Sequence, residues 1–471
     1  MTKLYQEFSH FALKINPSTE NKSLSKLLIQ VIIQTKMQLY TIFLNHPIIC
    51  TDSRVCPQGS LFFALKGDNF NANAFALSAL EKGCSYAVID ETEYAIDDRF
   101  ILVDNVLETL QQLATYHRKQ LGTRIIGITG TNGKTTTKEL IASVLKEKYN
   151  ILYTQGNLNN HIGVPLTLLQ LSAEHEIGII EMGANHSGEI KLLAEIACPD
   201  YGIITNVGKA HLEGFGSFEG VKTTKAELYN YIFSQGKAIF INKDNEHLVE
   251  MATNAGFDIE RGNVRAYSLD LENWGCYIHG RTLNCSPFLK MECTIDLFDK
   301  FEVNTKLVGA YNAENVLAAV AIGEFLGLKK EEIKSGLEKY APQNNRSQLT
   351  VTEKNKLVVD AYNANPTSMQ SAILNFAQME VEAKTLILGD MLELGEQSAE
   401  EHQNVVNLLQ QNNFDNVYLV GKEFSNTQNA YRCLNDVTEL QTYLEQNPIQ
   451  NNFVLIKGSR GIKLEKVLTT L

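Results

Sequence analysis

The segment Thr129-Gly130-Thr131-Asn132-Gly133-Lys134-Thr135-Thr136 constrains this chain more than any other. It follows an apolar stretch, Ile125-Ile126-Gly127-Ile128, and it opens a helical pattern. Strand, glycine turn and helix N-terminus together make the geometry that holds nucleotide phosphates. Gly130 and Gly133 let backbone N–H groups approach phosphate oxygens without a Cβ in the way. Lys134 has the reach for the β- and γ-phosphates, and the Thr135 hydroxyl suits Mg²⁺. The strict G-x-x-x-x-G-K-[ST] spacing is not met, because Ile128 stands where its first glycine belongs. An ordinary strand-to-helix turn is the competing reading. The agreement of strand, both glycines, lysine and threonine triplet favours a phosphate-binding loop, and with it a parallel α/β sheet.

A chain of 471 residues exceeds one ordinary core, and at roughly 150 residues per domain about three domains are expected. The formal net charge of −12 argues against a non-specific nucleic-acid binder, which needs a basic face. An enzyme of anionic substrates remains compatible if its positive groups gather in the cleft. The eight cysteines (50, 56, 84, 198, 276, 285, 293 and 433) contain no C-x-x-C pair. That pattern suits reduced thiols in the cytosol and offers no metal-site spacing. No apolar run approaches the ~20 residues that a membrane helix needs.

Four stretches follow one another. Residues 1–36 form an extra N-terminal segment, polar and then weakly amphipathic, too short to bury a core of its own. A chain starting at Met37 is expected to fold and to keep its activity. Residues 37–121 read as a small α/β domain, closed by helical spacing over Leu107 to Leu121. Residues 122–341 alternate strands and helices from the phosphate loop onward; 253–308 lean toward short polar strands, a β-rich excursion. Residues 342–471 hold a second α/β set with strands at Leu357-Val358-Val359, Thr385 to Leu388, Val417 to Val420 and Phe453 to Ile456, as in a doubly wound sheet. Asn/Gln clusters near 410 and 446–452 read as loops.

Ligands of parallel α/β sheets bind at the carboxyl ends of strands, and several polar residues stand there. Glu181 follows Ile179-Ile180 and suits Mg²⁺, unless it is a solvated strand-end acid. Thr205 to Glu213 follows Ile203-Ile204; within it His211 suits a metal and Lys209 a phosphate, although a lone histidine is more often structural. Lys225, by itself, reads as a surface helix lysine. Asn312 and Asn315 are spaced i, i+3 and share a helix face; their amides match the adenine edge, or they cap the helix. Arg346 suits a γ-phosphate and Asp360 ribose hydroxyls, or both are plain surface charges.

Taken together, these motifs resemble the Mur ligases, ATP-dependent amide-forming enzymes of peptidoglycan synthesis. The phosphate loop, Glu181-Met182-Gly183, Lys209-Ala210-His211, Asn312-x-x-Asn315, Arg346 and Asp360 fall in that family's order. The resemblance covers about residues 37 to 471. Thr51-Asp52-Ser53-Arg54, Asn157 to Leu166, Asp360 to Met369 and Leu388 to Gly395 are similar to the member that adds D-alanyl-D-alanine to a UDP-linked muramoyl tripeptide. The diaminopimelate-adding member is disfavoured, because its Asp-Asn-Pro-Arg motif is absent. After Leu65-Lys66-Gly67 the chain departs from the family's Gly-His-Asp-Phe.

The resemblance implies three domains: a small α/β domain for the UDP substrate, a central P-loop parallel sheet for ATP, and a C-terminal Rossmann-like sheet. It implies ATP with two Mg²⁺ ions, a cytoplasmic monomer, and no nucleic-acid or membrane partner. Gly130, Thr131, Asn132, Gly133, Lys134, Thr135, Thr136, Asn312, Asn315, Arg346 and Asp360 would hold the nucleotide. Ser53, Arg54, Asn159 and Asn160 would hold the UDP substrate. Thr135, Glu181, His211 and a carbamylated Lys225 would serve the metals, with Lys134, His211 and Lys225 catalytic. Other amide ligases of the superfamily, among them folylpolyglutamate synthases, are the nearest alternative. A nucleotide-switched binding module is the alternative of another class, and Glu181, His211 and Lys225 argue against it.

Overall fold

A computed structural model describes residues 38–273, 275–296, 298–343 and 345–471. The expectations for residues 1–36 and for a start at Met37 fall outside the described residues. The structure forms two compact units. The first holds the described residues up to Thr123 together with Thr154–Ala173 and Glu195–Cys198; the second holds Arg124–Tyr153, Glu174–Ala194 and Pro199–Leu471.

In the first unit, four short strands line up in sequence order, all parallel: β1 (Ile49–Cys50), β2 (Leu61–Phe63), β3 (Tyr86–Ile89) and β4 (Phe100–Leu102). Leu61, Phe62 and Phe63 are fully buried, which explains a strand that is apolar on both faces. The helix Val106–Leu121 starts on Asn105, whose side chain accepts from the Glu108 N–H, and stops at Gly122 with φ 66°. Its buried positions Val106, Leu110, Leu113, Ala114 and His117 follow the helical repeat.

The second unit contains two sheets. The larger is built from β5 (Arg124–Thr129), β6 (Ile151–Tyr153), β7 (Ile177–Glu181), β8 (Tyr201–Ile204), β9 (Ala238–Asn242), β10 (Val264–Ser268), β11 (Ile278–Cys285), β12 (Phe288–Ile295) and β13 (Asp299–Val308). Its order is β13-β12-β11-β10-β9-β8-β5-β7-β6. Strands β5 to β11 run parallel, whereas β11, β12 and β13 form an antiparallel meander. The region read as an excursion is therefore an extension of the phosphate-loop sheet, which is mixed rather than wholly parallel. Short hairpin connections suffice there, so no crossover helix interrupts the strands. The helix Ala313–Phe325 is apolar all round and lies in the core shared by this sheet and the helix Lys134–Leu145.

The second sheet holds β14 (Gln348–Val351), β15 (Lys356–Asp360), β16 (Lys384–Gly389), β17 (Val417–Val420), β18 (Arg432–Leu434) and β19 (Phe453–Lys457), in the order β14-β15-β19-β16-β17-β18. Only the edge pair β14/β15 is antiparallel. The four strands read from the sequence here are present. The Asn/Gln cluster near 410 instead ends a helix, Ser398–Gln411, whose apolar face includes buried Val405, Val406 and Leu409. Among the described residues, no helix is long and apolar enough to cross a membrane.

Candidate active site

The phosphate loop sits between β5 and the helix Lys134–Leu145, at the carboxyl end of the sheet. Gly130 has φ 146° and Gly133 φ 78°, the second at the helix N-cap. A Cβ at Gly130 would lie 2.0 Å from Thr205 Oγ1, with the Thr205 and Asn206 backbone nitrogens behind it at 3.1 and 3.2 Å. Backbone cannot yield as a flexible side chain does. Gly130→Ala is therefore expected to lower stability by about 2 kcal/mol or more and to abolish nucleotide binding. Thermal unfolding and ADP titration check this; an unchanged melting point would refute it.

A second strand-end segment supports the loop from beneath. The Thr131 N–H donates to Asn206 O at 2.9 Å, and the Asn132 N–H to Asn206 Oδ1 at 2.9 Å. Thr205 Oγ1 donates to Asn132 O at 2.6 Å, and Asn206 Nδ2 to the same oxygen at 3.1 Å. Neither Thr205 nor Asn206 was singled out from the sequence, though their place directly after β8 was the available signal. The Asn132 side chain is held across to Asn365, whose Nδ2 donates to Asn132 Oδ1 at 2.8 Å.

Cations and one carboxylate converge on this loop. Lys134 Nζ donates to Gly130 O at 2.7 Å and to Thr131 O at 3.0 Å. Its residue surface is half-buried, but its ammonium is packed round by protein. Burial pushes it down to about 8; the Glu181 charge opposes this and that of Arg346 adds to it. Glu181 is 2 % exposed, at the end of β7. Its Oε1 accepts from Thr135 Oγ1 at 3.2 Å, and its Oε2 is 3.7 Å from Lys138 Nζ. A buried hydroxyl and carboxylate side by side, next to a phosphate loop, form a hard-oxygen donor pair that fits Mg²⁺.

Lys225 overturns the surface-lysine reading. It lies on the helix Phe218–Ser234, 2 % exposed, with its Nζ 5.4 Å from the centre of the Phe215 ring. Burial first, and then the Lys134 charge, push it down to about 7. His211, at φ 49°, is likewise pushed down by burial, with Lys134 and Lys225 adding to the effect and Glu393 opposing it. The His211 Nδ1 meets the Glu393 carboxylate. Lys134, His211 and Lys225 are thus near enough to sense one another's charge. Lys209 does not join them: its Nζ is 2.6 Å from Glu401 Oε1.

Arg346 stacks on the Tyr362 ring, its guanidinium carbon 3.8 Å from the centroid, and Arg460 lies over the same ring at 5.3 Å. Asp360, at the end of β15, is 2.6 Å from the almost wholly buried Lys457 Nζ. Sequence reasoning passed over Tyr362, Glu393 and Lys457; the first two stood inside stretches read only as family signatures. Asn312 and Asn315 are buried, with Asn315 Nδ2 donating to Asn312 Oδ1 and Asn312 Nδ2 to Val308 O, both at 2.9 Å. Thr137 Oγ1 donates to Asn315 Oδ1 at 2.9 Å. Asn312 occupies the helix N-cap position but makes no side-chain cap bond. Thr136 is buried in the first helical turn.

The remaining residues belong to the first unit. Arg54 forks onto Asp52, with Nη2 2.7 Å from Oδ2, and is largely exposed. The Ser53 carbonyl accepts from Lys82 Nζ at 2.7 Å. Asn160 Oδ1 accepts from the N–H groups of Ile162 and Gly163 and so shapes the entry to the helix Gly163–Leu168. Asn159 lies in the same turn, its N–H donating to Asn157 O.

Residues 128–323 match the Mur ligase middle domain, and 345–460 the Mur ligase, glutamate ligase domain. The UDP-N-acetylmuramoyl-tripeptide–D-alanyl-D-alanine ligase of Bacillus subtilis is 34% identical over 441 residues, covering 90% of this chain and 92% of its own. The chain belongs to the Mur ligase family. It is an ATP-dependent peptide ligase of that family. The Escherichia coli ligase of the same name is also 34% identical, over 90% of this chain and 93% of its own. The MurF ligase of Thermotoga maritima in complex with ADP superposes with a TM-score of 0.80 at 26% identity, covering 91% of this chain and 97% of that one. The Mur ligase fold thus accounts for the small N-terminal sheet, the mixed central sheet and the mainly parallel C-terminal sheet.

Proposed function

We propose that this Mur ligase joins D-alanyl-D-alanine to UDP-N-acetylmuramoyl-tripeptide in the cytoplasm, converting ATP to ADP and phosphate. The observation that carries the reading is the extent of the match to relatives of that activity: it runs through about nine-tenths of both chains, far beyond the phosphate loop.

In this reading the tripeptide carboxylate attacks the γ-phosphorus of ATP, the bond to ADP breaks, and an acyl phosphate forms. The dipeptide amine then attacks the activated carbonyl, loses a proton, and phosphate leaves. Phosphorylation is needed because a bare carboxylate is a poor electrophile. The loop from Gly130 to Thr136 cradles the phosphates, and Lys134 carries positive charge to the transferring group. Arg346, stacked on Tyr362, adds a second cation. Asp360 holds the ribose, with Lys457 fixing its carboxylate. The adenine edge falls to Asn312 and Asn315, whose named bonds leave each amide one N–H to offer. Ser53 and Arg54 hold the uridine end of the substrate, and Asn159 and Asn160 its pyrophosphate or sugar. Mg²⁺, when bound, offsets the repulsion between anionic nucleophile and ATP. Thr135 and Glu181 would hold the nucleotide-associated ion, and His211 with a carbamylated Lys225 the second.

The test is phosphate release from ATP in the presence of UDP-muramoyl-tripeptide, with the dipeptide varied. Release that depends on D-alanyl-D-alanine supports the proposal. Release driven equally by a single amino acid, or indifferent to both, overturns it.

Glu181→Gln keeps the size of the side chain and removes its charge. The Mg²⁺ concentration for half-maximal rate is expected to rise at least about tenfold, ~1.4 kcal/mol of lost interaction. An unchanged Mg²⁺ dependence in the folded variant would make Glu181 a strand-end acid without a metal role.

A further inference from the structure

Three cysteines of the first unit, Cys50, Cys56 and Cys84, are spread through the sequence at a spacing that suggests no metal motif. The fold gathers them. Cys50 ends β1, Cys56 closes the turn that follows, and Cys84 lies just past the helix Ala76–Glu81, before β3. Their three Sγ atoms all lie within 4.8 Å of one another. Cys50 and Cys84 are each 4 % exposed, and Cys56 is half-buried at the rim. Ser60, fully buried, places its Oγ 3.2 Å from Cys84 Sγ. Among the described residues, this is the one set of three sulfur, imidazole or carboxylate donors gathered so closely.

We propose that Cys50, Cys56 and Cys84 form a binding site for a thiophilic d¹⁰ cation of the zinc class, with the fourth position left to water. Soft sulfur ligands select such ions over Mg²⁺ and Ca²⁺. A tetrahedral ion with Zn–S bonds of about 2.3 Å needs sulfurs ~3.8 Å apart, so side-chain rotation closes the set without refolding the backbone. A half-buried third ligand gives the ion an entry path.

The site has a place in the molecule beyond its chemistry. Cys50 and Cys56 bracket Thr51 to Val55, and the thiols reach inward to that loop's carbonyls: Cys50 Sγ to Asp52 O at 3.3 Å and Val55 O at 3.2 Å, and Cys56 Sγ to Ser53 O at 3.5 Å. A bound ion ties both ends of this loop to the start of β3. The metal site stands whether or not Ser53 and Arg54 hold a substrate.

The test uses the full chain, reduced and freed of metal, and then titrated with Zn²⁺ or Cd²⁺. We expect one equivalent per chain to be retained through desalting, a raised melting temperature, and a thiolate-to-cadmium absorption band. X-ray absorption at the zinc edge should count three sulfurs near 2.3 Å. Cys56→Ala, at the rim, should lose the band and at least tenfold in affinity. No retained metal, a sulfur count of two or fewer, or a Cys56→Ala protein that binds as the parent does would each overturn the proposal. The zinc-edge count needs no variant, so a substitution that fails to fold does not shelter it.

Discussion

Replacing Lys134 by alanine is expected to leave a folded protein that turns over at least about 10³-fold more slowly. The side chain folds back onto the loop carbonyls and is absent from the apolar core cluster around it. Among the described residues its ammonium donates to the Gly130 and Thr131 carbonyls, so stability changes little, whereas the transferring phosphate loses a cation in a water-poor site. Single-turnover ADP formation measures the loss, and thermal unfolding verifies the fold. Near-normal turnover by a folded Lys134→Ala protein would remove the loop lysine from the chemistry.

The same residue gives nucleotide binding a signed pH dependence. In the protein without nucleotide, Lys134 titrates at about 8, lowered by burial and by Arg346 against the pull of Glu181. Bound phosphates favour the charged form and raise that value. Affinity for ADP is therefore flat below about pH 8 and weakens above it, because binding must then take up a proton. ADP titrations from pH about 7 to about 9 should show this slope in the parent protein and lose it in Lys134→Met. A slope that persists in the variant would assign the titration to another group.

Substituting Lys225 by alanine is expected to cost about 100-fold or more in rate, with partial rescue by short-chain carboxylic acids. The geometry makes a persistent ammonium costly: the side chain is 2 % exposed, and Lys134 adds like charge. With the group titrating at about 7, most of it is neutral amine at pH ~8, where an ordinary lysine would be under ~1 % neutral. In the proposed carbamylation the neutral amine would attack CO₂ at carbon and lose a proton, and the carbamate would present an anion where a cation stood. Acetate or propionate admitted to the space left by alanine replaces that anion. A rate that alanine leaves untouched would make Lys225 a buried helix lysine without a chemical role. A loss that no carboxylate relieves would refute the carbamate.

The legible part of this protein was local. Ile125 to Thr136 declared strand, turn and helix because each element's preference is written in neighbouring residues: β-branched run, glycines, helix-forming stretch. The strand ends at Glu181, Ile204 and Asp360 were visible for the same reason, and the rule that ligands meet sheets there drew attention to the right segments. Thr205 and Asn206 lay inside one such segment and were overlooked, since a histidine and a lysine in the same stretch carry louder chemistry than two residues that support a backbone.

What the sequence by itself determined was the α/β class, the phosphate loop, most of the strands and the order of the site motifs, all properties of residues within a few positions of one another. Tertiary structure alone decided which side of the helix Phe218–Ser234 is inside. Lys222 and Lys225 share one face of that helix and both are buried, yet Lys222 pairs with Glu250 while Lys225 lies beside Phe215. Only the fold joined Lys209 to Glu401, Asp360 to Lys457, and Cys84 to Cys50 and Cys56. Periodicity tells which residues share a face; sheet order decides what that face meets, and a group's charge state and ligands follow from what it meets.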